Sequence, residues 1–439
     1  MNKNLFIFFS LILSSFIGVH SYAQIITTIA GDSTTGYCCD DSLAIHAELN
    51  HPADVAVDAI GNIYICDAGN NRIRKINTSG IITTIAGTGI AGYNGDAIAA
   101  TAAQLNYPDA LVVDGFGNIY FSDDHNFRIR MINALGIITT IAGTGFSGYN
   151  GDDIPATTAQ IATCVGIALD ASGNVIFGDI NNNRIRKIKP AINGIISTIA
   201  GTGSIGYTGD GGQATNATIY DPTGVAIDVS NNIFFAEHGN NCIRKITTDG
   251  IINTIAGNGH VGFGGDNGPA TLAQFNWPNG LKVDGNGNIF IADVYNYRIR
   301  KVDNSGVVTT IAGTGNDLYN GEGQPALLTN IFPLGIAINN SDDLYFADFS
   351  RARYMGNTVS VPVVPHIADA VYCYPNPNRG QFCIKVVSTL NESVCINITN
   401  MIGQIINKIS ANTNETVPVV LNPDFAVEIN QPKCRMFKI

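Results

Sequence analysis

Histidines and carboxylates come first, because metal-assisted and acid–base chemistry need them to converge. The seven histidines are scattered, His125 and His238 stand at different offsets within similar segments, and neither His-Glu-x-x-His nor Gly-x-Ser-x-Gly occurs. Zincin and nucleophile-elbow chemistry therefore lack their side chains. Four stretches, Gly87–Gly92, Gly143–Gly148, Gly201–Gly206 and Gly257–Gly262, have the Gly-x-Gly-x-x-Gly spacing of a dinucleotide site. Each follows a strand-like run but opens a loop, and a phosphate-cradling motif is not copied along a chain. Asp58, Asp114, Asp170, Asp228 and Asp284 end apolar runs beside Gly and Asn. They suit turn closure better than calcium, which needs six to eight oxygens around one centre. No cofactor is expected, and a divalent cation in a central channel is the alternative kept open.

The elements that must position any site announce themselves by repetition. Thr-Ile-Ala-Gly begins at Thr28, Thr84, Thr140, Thr198, Thr254 and Thr310, at intervals of 56, 56, 58, 56 and 56 residues. Gly61-Asn62-Ile63-Tyr64 and Asn71-Arg72-Ile73-Arg74 recur in phase with it. Each unit holds four short β-branched or aromatic runs, such as Ala110–Val113, Ile119–Ser122, Arg128–Ile132 and Ile137–Ala142, separated by turn residues. Four antiparallel strands repeated about an axis form a propeller blade. The sixth unit lacks a fourth strand before Pro362, whereas Ile25-Ile26-Thr27-Thr28-Ile29 near the N-terminus has that strand's pattern. An all-β, six-bladed propeller follows, its last blade closed by the N-terminal strand, which leaves no open edge.

The run Pro-x-Gly-Val-Ala-x-Asp, then Gly-Asn-Ile-Tyr, then Asn-Asn-Arg-Ile-Arg-Lys-Ile, seen at Pro222–Asp228 and Gly61–Ile76, resembles the NHL repeat over about residues 25–357. NHL propellers include RNA binders, protein-interaction modules and a few enzymes, so the resemblance speaks to fold more than to function. Tyr374-Pro375-Asn376-Pro377 and Gly403-Gln404 resemble the C-terminal sorting domain of the type IX secretion system of Bacteroidota-like bacteria. That resemblance implies a small β-sandwich engaging the outer-membrane export machinery and ending in surface attachment.

The predicted organisation is a signal peptide at 1–23, a propeller at 24–357, a Pro-rich linker at 358–371 and the sorting domain at 372–439. Lys3, the apolar run Leu5–Leu13 and Ser21-Tyr22-Ala23 make the leader, and no later run is long enough to span a membrane. A net charge of −11 disfavours nucleic acid as a partner. Nine cysteines in an exported chain permit disulfides, but an odd set without Cys-x-x-Cys spacing leaves the pairing open.

Where the repeats disagree, the ring is free to specialise. Just before the first strand the units carry His51, Tyr107, Thr163, Asp221, Trp277 and Phe332, and two residues later Ala53, Asp109, Val165, Thr223, Asn279 and Leu334. Asp54 stands where four units have Gly. First strands line the axis, so the expected ligand-binding set around one channel mouth is His51, Asp54, Tyr107, Asp109, Asp221, Trp277, Asn279 and Phe332. His125, His238 and Tyr295 join them from loops on the same face. An aromatic mouth with a few carboxylates suits a glycan, peptide or protein ligand. The expected function is recognition or adhesion at the cell surface. The alternative is a metal-dependent propeller hydrolase or lyase of gluconolactonase type, so enzymatic activity is left open.

Overall fold

The computed structural model describes residues 24–189 and 194–356, followed by the backbone of seven strands between Ala370 and Lys438. The leader and most of the linker lie outside the described residues. The chain divides into two compact units, Met1–Val359 and Ser360–Ile439.

The first unit is a ring of six antiparallel sheets. Blade 1 runs from its inner strand Pro52–Val57 through Ile63–Asp67 and Arg72–Ile76 to the outer strand Ile81–Ala86. Blades 2 to 5 repeat this order. Blade 6 takes its outer strand from the N-terminus: Ile25–Ala30 pairs antiparallel with Arg351–Gly356. Tyr64, Phe121, Phe177, Phe235, Phe290 and Phe346 on the second strands are buried, and the core forms six apolar clusters, one at each junction between neighbouring blades.

Two details differ from four strands per blade. Five sheets carry a fifth strand of two residues, Ser42–Leu43, Ile98–Ala99, Ile154–Pro155, Gly268–Pro269 and Gln324–Pro325. Each lies in the loop arriving from the preceding blade and pairs with the next outer strand, whose edge N–H and C=O groups would otherwise go without a partner strand. In blade 3 the inner strand shrinks to Ile167–Leu169, and Cys164 stands where the other units have proline.

A polar belt runs through this apolar ring. Arg74, Arg130, Arg186, Arg244, Arg300 and Arg353 are fully buried. Each reaches the carboxylate ending its neighbour strand, as Arg130 does Asp123 at 3.1 Å and Arg244 does Glu237 at 2.8 Å. Each also meets a carboxylate from the joining loop, such as Asp96 at 2.9 Å. Two anions per guanidinium, with a carbonyl such as that of Gly95 at 3.0 Å, balance the buried charge through the terminal nitrogens, while the Nε of each of the six has no hydrogen-bond partner among the described residues. The preceding arginines, Arg72, Arg128, Arg184, Arg298 and Arg351, lie on loop rings at 3.5–3.9 Å.

Cys38 and Cys39 are bonded to each other, and Cys66, Cys164 and Cys242 are buried thiols. In the second unit the strands pair into one three-stranded and two two-stranded sheets, with Ala370–Tyr374 beginning inside the expected linker. The packing side chains that would define a sandwich there lie outside the described residues.

Candidate functional site

The belt places the mouth. The carboxylate ending each second strand accepts an N–H from the segment entering the inner strand: Asp123 from Asn106 at 2.7 Å, Asp293 from Asn276 at 2.8 Å and Asp348 from Phe332 at 2.8 Å. In four blades, at His51, Tyr107, Asp221 and Trp277, the corner residue turns onto the face with a left-handed backbone, φ being +56° at Tyr107 and +60° at Trp277. An asparagine of the preceding blade steadies that corner: Asn71 accepts the Tyr107 N–H at 2.9 Å and Asn241 the Trp277 N–H at 3.2 Å. Two other blades carry a ring at this asparagine position, namely Phe127 and Tyr297.

These corners surround a cavity of about 370 Å³ at the axis. Tyr107, Asp109, Trp277, Asn279 and Phe332 of the predicted set line it, as do His238 and Tyr295. Asp54 lies deeper, in a waist of about 20 Å³, room for roughly one water, which Asp109 and Asn279 also line. The waist is narrow because inner strands nearly touch: a Cβ on Gly166, Gly224 or Gly280 would run into the carbonyl of Thr223, Asn279 or Leu334. His51 and Asp221 line neither space. The His51 imidazole is exposed against Phe349, centroids 5.6 Å apart, while the half-buried Asp221 accepts the His238 N–H through its carbonyl at 3.1 Å.

The mouth is chemically divided. From blade 4 to blade 6 the rings form one arc, with centroid separations of 3.6 Å for His238–Trp277, 4.6 Å for Trp277–Tyr295, 6.2 Å for Tyr295–Phe332 and 6.4 Å for Phe332–Phe349. Burial pushes His238 down to about 4, so at neutral pH it is an uncharged member of the arc. Opposite stand carboxylates. Asp124, buried, accepts the Cys164 N–H at 2.8 Å, and burial pushes it up to about 6. Asp54 accepts the Leu111 N–H at 3.0 Å and is also pushed up to about 6 by burial, against the pull of Lys282. Asp109 keeps contact with the channel yet is enclosed by protein. Desolvation, then the charges of Asp124 and Asp54, raises it well above the usual carboxylate range.

Asp124 and Phe349 escaped the sequence reasoning, although a signal existed. The residue after each strand-ending carboxylate varies, as Ala68, Asp124, Ile180, His238, Val294 and Phe349, and several of these reach the mouth. Among the described residues no group of three or more His, Cys, Asp or Glu is placed to hold a metal ion. The site is a blind cup, part aromatic and part anionic, at the axis of a six-bladed ring.

Comparison with known proteins gives the ring its type. The teneurin NHL domain family matches residues 29–94, 203–263 and 259–326, and the secretion system C-terminal sorting domain family matches residues 372–421. The chain is an NHL-repeat propeller followed by a secretion sorting domain, which marks it for export and cell-surface attachment. Human Teneurin-4 is 28% identical over 289 residues, covering 57% of this chain and 10% of that protein. Teneurin-3 of Danio rerio is 27% identical over 376 residues, covering 71% and 13%. The chain thus spans about a tenth of the length of these curated relatives. Among solved structures, a structural-genomics protein of Bacteroides thetaiotaomicron shares the fold with a TM-score of 0.56 and 22% identity, over 76% of each chain. An auxiliary nutrient binding protein from that organism matches with a TM-score of 0.56 and 14% identity, again over 76% of each. No helix among the described residues is long and apolar enough to cross a membrane.

Proposed function

We propose that this chain is a recognition protein displayed on the cell surface, binding a glycan, peptide or protein ligand at the cup. The carrying observation is the continuous aromatic arc, Trp277 at its centre and 46% exposed, facing carboxylates across a cavity of about 370 Å³. A large ring left partly exposed at an axial cavity of this size is placed for contact, since apolar surface covered by a ligand favours binding. The sorting domain supports display facing the medium, and two Bacteroides neighbours described as auxiliary nutrient binding proteins use the same fold. We further propose that binding needs no resident cofactor.

The test is a glycan and peptide array probed with the full chain, before and after chelation. A hit lost in Trp277→Ala and indifferent to EDTA is the expected result. A hit that survives Trp277→Ala would move the site elsewhere, and one abolished by EDTA would make a cation part of it.

A further inference from the structure

The cup is graded from rim to floor. Trp277, Tyr295 and Phe332 form its wall, with successive ring planes inclined by 54° and 72°. Its floor, where it meets the waist, includes Asp109, whose carboxylate accepts no hydrogen bond from the described residues. The other charged and titratable groups around Asp109 are Asp54 and Asp124, the buried thiols Cys66 and Cys164, the Tyr107 phenol stacked on His125 at 4.9 Å, the uncharged His238 across the cup, and Lys282 at the waist below. No cation from the chain occupies the cup itself among the residues lining it.

We infer that the cup receives a lysine or arginine side chain displayed by a peptide or protein partner, its aliphatic stem along the Trp277–Phe332 wall and its cationic head at Asp109. This rests on the proposal that the cup is the binding site. A long side chain that is apolar along its stem and charged at its tip matches an apolar wall above an anionic floor. Aromatic faces attract a cation, and a charge-assisted bond to carboxylate fixes its head. An amino sugar fits less well. Its amine sits on a polyhydroxylated ring without an apolar stem, and rings inclined to one another offer no flat platform for a pyranose.

One consequence separates this ligand from a neutral one. In the empty cup, burial and two neighbouring carboxylates favour the protonated form of Asp109. An arriving cation favours the carboxylate, so binding releases a proton and tightens as pH rises toward the carboxyl's free-state pKa.

Trp277 is the only tryptophan in the chain, so its fluorescence reports on the cup directly. The full chain would be titrated with a capped Gly-Lys-Gly peptide, the same peptide with norleucine for lysine, and a glucosamine tetramer. Calorimetry in two buffers of different ionisation enthalpy would count protons. The lysine peptide should bind about tenfold or more tighter than the norleucine peptide, with proton release. Asp109→Asn should erase both the preference and the release. Equal binding of the two peptides, or a preference that survives Asp109→Asn, overturns the inference, as does tighter binding of the glucosamine tetramer. If Asp109→Asn does not fold, the wild-type comparison of the two peptides still decides. An array ligand that needs Trp277 but ignores Asp109 defeats only this inference. One that ignores Trp277 defeats the proposed site as well.

Discussion

The buried belt and the axial mouth are built on the same six blades, yet they treat repetition in opposite ways. At the belt an arginine occurs six times with two carboxylates each, and even the two exchanges, Glu237 and Glu322 for Asp, preserve the pair. At the mouth the equivalent column holds a histidine, two aromatics of different size, an aspartate, a threonine and a phenylalanine. The belt tolerates little because an unpaired charge beneath the surface costs several kcal/mol wherever it occurs. The mouth tolerates difference because its side chains meet water. Identity around the ring therefore marks architecture, and difference marks the surface free to take on a task.

The comparison can be broken most forcefully at the belt. Asp123→Ala strands the buried Arg130 and frees the Asn106 amide; a loss of about 3–5 kcal/mol is expected in chemical denaturation. A loss under about 1 kcal/mol would show that water reaches the belt and that its uniformity has another cause.

Asp54→Asn should act in the opposite direction. The Asp54 carboxyl is raised in the folded chain to about 6, so the fold holds its proton more tightly than the unfolded chain does. Its contribution is present below the ordinary carboxylate pKa and is lost as pH rises through about 6. The amide can still accept the Leu111 N–H. Asp54→Asn should therefore gain on wild type, by on the order of 2 kcal/mol, as melts are taken from pH 4 to pH 7, with no difference at the acid end. A constant difference across that range would deny the carboxyl's role.

Trp277→Ala tests the division itself. It should abolish ligand binding while costing no more than about 1 kcal/mol of stability, because nearly half of the ring already faces solvent. A cost several times larger would make the ring part of the architecture. Smallest of all, Arg72→Lys, which loosens a guanidinium stacked at 3.5 Å on Tyr37, should shift stability by about 0.5–1 kcal/mol. Blade 4 already lacks that arginine, having Cys242 there, and Tyr207 keeps the hydrogen bond to Thr254, at 2.7 Å, that Tyr37 makes to Thr84 at 3.2 Å.

Much of this architecture was legible because periodicity is a property of order along the chain. The blades, the closing strand and the mouth column that includes Tyr107, Trp277 and Phe332 all follow from laying the units in register. The edge strands did not, since two residues such as Gly268–Pro269 carry no strand pattern and pair only because the next outer strand lies alongside. His51 and Asp221 share the column of Trp277 but not its cavity, although all six blades line that cavity, and no repeat encodes which members of the column turn into it. Asp124 stands in no repeated motif, and its meaning arises only when the Cys164 amide and Asp109 come close from other strands.

The strand that seals the ring is also the earliest to be made. Ile25–Ala30 must wait for Arg351–Gly356, with the 320 residues from Gly31 to Ser350 between them. Closing so long a segment costs only about 1.5 kcal/mol more chain entropy than closing one 56-residue unit. The delay is in timing, not in affordability. Blades 1 to 5 can complete themselves in order of synthesis, while blade 6 stays three-stranded until both ends of the propeller are free to meet. While either Ile25–Ala30 or Arg351–Gly356 is still engaged in a ribosome or a translocation pore, the ring is an unclosed horseshoe, and the toroid is finished only when both strands are free.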